Sequence, residues 1–381
     1  MKTWARHSLA FLDSERSGGI VLLFVTFISL VLANTFMAKD YQHFWHSVLF
    51  SKPIEFWIND GLMTIFFLQV GLEIKREIYV GELKDFKKSL LPVLAALGGM
   101  LVPAAIHFIL NKGTIAQSGY GIPMATDIAF SLGILSLLGN RVPLSLKIFL
   151  TALAIIDDLG AILVIALFYS AHISYPFLVL AFLIFAILVL LNRMKIVSLG
   201  IYLLLGCLMW FCLHCSGIHA TISGILLAFA IPFGHGDEKS PSSILQHWLH
   251  KLVTFLVLPL FALANTAISF PPTFLSDLTS FNSLGVILGL TLGKPLGIFL
   301  FSWIGLTAGW CLLPHTLKIK NILALGMLAG IGFTMSIFIT LLAFKDPHLI
   351  DGSKIAVLVG SLLSGVAGLS VLQLTLKKNR H

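Results

Sequence analysis

Stretches of about 20 apolar residues follow one another along nearly the whole chain, and each is long enough to cross a hydrocarbon core as a helix. Twelve spans are expected, near 18–36, 58–77, 89–110, 121–138, 146–170, 175–192, 197–213, 217–232, 250–268, 283–306, 319–344 and 354–376. The run from Val197 to Pro232 is too long for one crossing, and the break at His214-Cys215-Ser216-Gly217 divides it in two. Only 11% of the residues are charged, against about 25% in soluble domains. The expected fold class is therefore an all-α polytopic membrane protein, with residues 1–381 forming a single membrane domain. The stretch 233–249, opening FGHGDEKSPSS, reads as a cytoplasmic linker.

The net charge of +8 does not point to nucleic acid, because the basic residues lie between apolar runs, where they set orientation. With both termini cytoplasmic, 19 of the 25 Lys and Arg fall inside. Five fall outside (Lys39, Lys52, Lys112, Lys345 and Lys354), and Lys294 is left over within a span. Merging the seventh and eighth spans would reverse every later loop and spoil this bias. The N-terminal MKTWARHSLAFLDSERSGG is too polar for a signal peptide, so the first span is expected to stay in the mature protein. Cys212-Leu-His-Cys215 has the spacing of a metal or redox pair, but small residues packing between helices account for it better.

Against that apolar background Asp157 and Asp158 stand out, side by side in LTALAIIDDLGAILVIALFYS. A charge at mid-membrane costs about 2.5–3.5 kcal/mol on insertion scales, and two neighbours repel each other. A chain that keeps both uses them to bind a cation or carry a proton. Lys294, in GLTLGKPLGIFLF, has apolar sequence on both sides and calls for a charge partner instead of snorkelling to an interface.

Two spans carry breakers near their middles. The fourth has Gly121 and Pro123 just before Thr126 and Asp127; the eleventh has Gly330 and Gly332 ahead of Thr334. Spans 3–5 and 10–12 are seven apart, so the two triplets run in opposite directions. Interrupted helices paired in an inverted repeat point to a secondary transporter with its site at the midplane. An interruption leaves half-helix ends with partial charge, positive at N-termini and negative at C-termini. Asp127 and Lys294 have the right signs to offset these ends, and the hydroxyls of Thr126 and Thr334 can satisfy loose backbone groups. Consecutive helical residues diverge by about 100°. One of Asp157 and Asp158 can thus face a water-filled funnel while the other meets Lys294 or the broken helices. Oxygen-rich ligation suits sodium or lithium, and protons compete for the same oxygens.

Seven runs resemble the bacterial sodium/proton antiporter A family: WINDGLMTIFFLQVGLEIKRE (57–77), GIPMATDIAFSLGIL (121–135), ALAIIDDLGAILVIALFY (152–169), SGIHATISGILLAF (216–229), LPLFALANTAIS (258–269), LGKPLGI (292–298) and GIGFTMSIFI (330–339). The resemblance runs from about Ser14 to Lys377. It implies an electrogenic, pH-activated exporter of Na+ or Li+ that takes in more than one H+ per cation. It has no cofactor, is not an enzyme, and lies in the lipid of the bacterial inner membrane. By the same resemblance Asp158 is the central cation- and proton-binding carboxylate and Asp157 its partner, paired with Lys294 when no sodium is bound. Asp127 offsets the facing half-helix N-termini, Lys294 the C-termini, and Thr126 lies beside the ion. The pH response falls to Glu73, Lys75, Glu77 and His247 at a cytoplasmic funnel, with His219 shifting the profile. A β-hairpin within 40–56 joins two copies as a homodimer. The chain departs from the family at Gln246, where a glutamate often stands. His107 reads as an ordinary polar residue near the outer end of its span.

Other classes fit less well. An intramembrane aspartyl protease needs a Gly-x-Gly-Asp signature at its membrane aspartate, which neither Asp127 nor Asp157 has, and it has no use for Lys294. A passive channel calls for rings of charge or carbonyls, and a solute symporter for a larger polar cavity.

Overall fold

The computed structural model of the protein describes residues 2–81, 84, 86–169, 173–234, 236–270, 272, 274–313 and 317–376. His235, Lys377, Lys378 and Arg380 lie outside the described residues. Helices dominate for a solvent reason: without water, an apolar segment must bond its N–H and C=O groups within itself. Among the described residues seven helices are long and apolar enough to cross a membrane alone. They are Ser89–Leu110, Leu144–Phe168, Tyr175–Arg193, Leu199–Ser216, Pro241–Asn265, Phe281–Thr307 and Pro347–Leu376. Two bent pairs pass the same test together: Ser17–Ala33 with Ala38–His46 (113°) and Ile319–Ala329 with Phe333–Ala343 (52°). The chain is a multi-pass helical membrane protein.

The chain divides into two compact units. The first comprises residues 1–38, 85–161 and 265–381. Its tightest pairing joins the helix Phe86–Leu110 to the helix Lys294–Thr307. Gly98 and Gly297 make the seam: a Cβ on either would run into the other's carbonyl. Lipid tails are as apolar as leucine, so close backbone approach and dispersion hold such helices together, where a soluble core would rely on hydrophobic burial. The helix Pro347–Leu376 packs on Ile319–Ala329, and the first helix, Lys2–Ala33, on Ile128–Ser136.

Two segments of this unit are interrupted. A 3-10 helix, Ile115–Met124, gives way at 125–127 to the α-helix Ile128–Ser136. The helix Ile319–Ala329 breaks at 330–332 and resumes as Phe333–Ala343. Pro123 and the glycines at 121, 330 and 332 sit where the sequence places them, beside the breaks.

The second unit comprises residues 39–84 and 162–264. Strands Val48–Leu49 and Lys52–Pro53 pair antiparallel as a short hairpin. Phe50 and Ser51 at its tip take left-handed φ angles of 49° and 67°. That geometry matches the strand twist of a two-residue turn, here without a glycine. The Phe50 side chain is 81% exposed. A π-helical stretch, Trp57–Leu62, leads into the helix Met63–Tyr79. That helix packs on Ile222–Ala230, where Gly71 lies against Ala228. Leu68, Leu72, Leu188, Tyr202, Met209 and Leu227 belong to the buried cluster of this unit. The helix Leu199–Ser216 ends at Gly217, whose left-handed φ of 83° closes it, and the chain turns there towards Ile222. The helix Pro241–Leu252 begins within the 233–249 stretch, capped by the Ser240 hydroxyl, which accepts from Ser243 N at 3.3 Å.

Candidate functional site

The two chain breaks of the first unit meet, and polar groups stitch them together. Asp127 is the N-cap of Ile128–Ser136; its Oδ1 accepts from Phe130 N at 2.9 Å. Its Oδ2 accepts from Thr334 N at 3.1 Å and Thr334 Oγ1 at 2.5 Å, at the start of Phe333–Ala343. One carboxylate therefore serves the N-termini of two half-helices, where exposed N–H groups and the helix dipoles favour negative charge. The backbone closes the crossing, with Asp127 N donating to Ile331 O at 2.7 Å.

C-terminal carbonyls gather on the other side. Lys294 donates from Nζ to the carbonyl of Met124, the last residue of the 3-10 helix. The Thr126 hydroxyl lies 2.9 Å from Ala329 O and 2.7 Å from Asp157 Oδ2. Three further hydroxyls, which the sequence reading did not single out, do similar work. Ser131 donates to Leu328 O at 3.0 Å, Ser336 donates to Ile122 O at 2.6 Å, and Ser361 accepts from Phe333 N at 3.1 Å. Their sequence signal is modest, namely a serine inside an apolar run such as IAFSLG or FTMSIF.

Asp157 and Asp158 come from the unbroken helix Leu144–Phe168, beside this crossing. Asp157 is fully buried and its Oδ2 lies 2.9 Å from Lys294 Nζ, itself fully buried. That single oxygen also meets the Thr126 hydroxyl, whereas Oδ1 has no hydrogen-bond partner among the described residues. Asp158 is 1% exposed, and its charge also acts on Lys294. Of the two, Asp157 is thus the carboxylate paired with the lysine. Asp157, Asp158, Thr126, Asp127 and Lys294 all fall within one polar interior. A buried ion pair of this kind holds together only through good geometry and further hydrogen bonds, because removing charges from water is expensive. Asp157 has the lysine and the threonine; the lysine has the carboxylate and the Met124 carbonyl.

The remaining residues of the sequence reading lie in the second unit. Lys75 is buried, and its ammonium donates to the carbonyls of Ala228 (3.3 Å), Phe229 (2.8 Å) and Ile231 (2.6 Å). It caps the C-terminus of the helix Ile222–Ala230, where carbonyls lack intrahelical partners and a cation is favoured. Asn192 adds a bond to Ala230 O at 2.8 Å. Glu73 and Glu77 stand one turn apart on the helix Met63–Tyr79 and act on each other electrostatically. The helix Pro241–Leu252, which carries His247, packs on that helix, with Gln69 Nε2 at 3.3 Å from His250 Nδ1. His247 is exposed. His219 is not part of this group: its Nε2 lies 3.1 Å from Tyr169 O, and it acts on Asp60 in the π-helical stretch at the opposite end. His214 Nδ1 is 3.7 Å from Asp60 as well.

Cys212 and Cys215 are free thiols. Among the described residues no group of three or more His, Cys, Asp or Glu gathers as a metal cluster would.

With this geometry in hand, comparison with known proteins gives a consistent answer. The profile of a family described as Na+/H+ antiporter 1 matches residues 9–372. The chain is 57% identical over 372 residues to a Na(+)/H(+) antiporter NhaA 1 of Flavobacterium johnsoniae, covering 98% of each. It is 56% identical over 367 residues to a Na(+)/H(+) antiporter NhaA of Flavobacterium psychrophilum, covering 96% of each. The figure is 47% over 382 residues for a protein of the same name from Yersinia enterocolitica, covering 97% of each. Among solved structures, the sodium proton antiporter MjNhaP1 from Methanocaldococcus jannaschii at pH 8 matches with a TM-score of 0.56 and 16% identity. That match covers 98% of this chain and 99% of the other, and it is a likeness of fold. The chain belongs to the Na+/H+ antiporter 1 family.

Proposed function

We propose that this protein exports sodium, or lithium, in exchange for protons by alternating access, with Asp157 and Asp158 as the shared binding site. The observation that carries the reading is the unevenly used carboxylate of Asp157. Lys294 and Thr126 both address Oδ2, and Oδ1 bonds to nothing among the described residues. A buried, bare carboxylate oxygen beside Asp158 and a threonine hydroxyl is the kind of hard donor set that a small alkali cation takes. A proton takes the same oxygens. Two cations on one carboxylate repel strongly in a low-dielectric interior. Sodium therefore enters as protons leave and as the lysine lets go.

Asp157, Asp158 and Lys294 titrate as a coupled set. By resemblance to the family, the cycle takes in more than one proton per sodium and is electrogenic. Asp127 and Lys294 keep the crossing of the interrupted segments electrically balanced while the access side changes. The same reading has twelve spans, with 3–5 and 10–12 as inverted repeats, both termini cytoplasmic, and the inner membrane of a bacterium as location. Glu73, Lys75, Glu77 and His247 respond to cytoplasmic pH, and His219 adjusts the profile from the other end. The exposed hairpin within 40–56 joins two copies. The relatives' names support the substrate pair, since they are called Na(+)/H(+) antiporters.

Inside-out vesicles holding a proton gradient test the reading. Added sodium or lithium is expected to discharge the gradient, and potassium to leave it standing. A protein that discharged it equally well with potassium, or with none of the three, would not be this antiporter.

A further inference from the structure

His107 is the buried titratable side chain that the exchange site does not use. It lies in the last turn of the helix Phe86–Leu110 and is fully buried. Its Nε2 is 3.2 Å from Asn282 Oδ1, and Asn282 Nδ2 donates to Ser353 Oγ at 2.7 Å. The Ser353 hydroxyl can donate or accept, but the tautomer with the proton on Nδ1 would bury an N–H with no acceptor, whereas a proton on Nε2 is taken up by Asn282 Oδ1; Nε2 therefore carries the ring proton. Nδ1 is then a bare base, and it has no hydrogen-bond partner among the described residues. A histidine kept only for packing would leave this nitrogen unsatisfied at about 1–3 kcal/mol, with nothing gained.

Its place in the fold links it to the exchange site. Eight residues earlier on the same helix, Gly99 faces the Lys294 side chain, 3.8 Å from where a Cβ would stand to Cε. A rise of 1.5 Å per residue puts His107 about 12 Å further along. On the adjoining 3-10 helix, a Cβ on Gly119 would stand 3.1 Å from His107 Cε1, and Met124 of that helix holds the Lys294 ammonium. The lysine site and His107 therefore lie against the same two elements.

We propose that His107 Nδ1 is a proton-collecting station, oriented by Asn282 and Ser353, on the side of the exchange site that faces outward in the topology above. The transport consequence rests on the antiport reading; the protonation itself does not. The step is a plain protonation: the Nδ1 lone pair takes H+, imidazole becomes imidazolium, and Nε2–H stays on Asn282. At about 12 Å the station feeds the carboxylates indirectly. The titratable or charged groups of the elements packed around it are Tyr120 on the 3-10 helix, and His348, Asp351 and Lys354 on the helix Pro347–Leu376; the helix Phe281–Leu288 has none. Lys112 lies just beyond its own helix. Among the described residues, His107 is in no ion pair.

His107→Gln keeps an amide donor for Asn282 and cannot titrate. In right-side-out vesicles with internal pH held constant, its exchange rate should fall about tenfold relative to wild type at an external pH of about 8.5. At about pH 6.5, where protons are plentiful, it should stay within about twofold, with the sodium half-saturation unchanged. A rate profile superimposed on the wild type, or an equal loss at every pH with a shifted sodium half-saturation, overturns the proposal. The second arm needs no variant: ¹⁵N-imidazole NMR of the wild type, with His107 identified through its contacts to labelled Asn282. Nδ1 should gain a proton as pH falls while Nε2 stays protonated; an Nδ1 bare from about pH 5 to 9 overturns it. A wild type that titrates at Nδ1 but exchanges no sodium for protons sinks the antiport reading and leaves the station standing.

Discussion

Replacing Asp158 by asparagine should reduce sodium-driven proton movement to the level of vesicles without the protein. The substitution conserves volume and a hydrogen-bonding end, so packing along the helix Leu144–Phe168 has no reason to change. It removes a charge buried to 1% exposure in an apolar segment, a charge that by itself opposes insertion. The variant should therefore insert and fold at least as well as the wild type. What it loses is chemistry: an amide neither releases a proton near neutral pH nor offers a full negative charge to an alkali cation. Asp157 alone cannot substitute: its Oδ1 is open to a cation, but its single negative charge is already balanced by Lys294. The assay is the discharge of a preset pH gradient by sodium, with folding checked in parallel. An unchanged exchange rate in folded Asp158→Asn would remove that residue from the mechanism.

Lys294→Ala should act first on stability. Breaking a buried ion pair from one side leaves the other charge uncompensated, at about 3–5 kcal/mol. Here the loss falls on a fully buried Asp157 carboxylate and on the Met124 carbonyl at the end of a 3-10 helix. The Gly98–Gly297 seam lies one turn away on the same helix, so the packing of Phe86–Leu110 against Lys294–Thr307 loosens with it. The apparent melting temperature of the detergent-solubilised variant should drop clearly below that of the wild type. The gap should narrow at a pH low enough to protonate Asp157, since a neutral carboxyl no longer needs a counter-charge. Full thermal stability in Lys294→Ala would mean that the lysine is not a buried charge partner.

The candidate site was readable because charge inside lipid is rare enough to announce itself. Asp127, Asp157, Asp158 and Lys294 stand out of apolar runs, and the Gly and Pro residues beside Thr126 and Thr334 mark where the helices break. Helical geometry alone separates the two aspartates without saying which one meets the lysine; that depends on how the helix Leu144–Phe168 is rotated, and only packing sets it. Other parts were harder to read for physical reasons. The helix Ile222–Ala230 is nine residues long and follows a turn at Gly217, so a rule based on length does not find it by itself. Lys75 looks like one charge among several in GLEIKRE, yet it reaches three carbonyls more than 150 positions later in the chain. His107 looked ordinary because Asn282 and Ser353, which orient it, are distant in sequence. Contacts of such long range leave no local pattern.

The most direct test is to add sodium to the solubilised protein in weakly buffered solution and follow protons with an indicator while calorimetry follows binding. Exchange at a shared site predicts a saturable burst of protons that tracks sodium occupancy and is missing in Asp158→Asn. Sodium binding with no protons released would contradict it.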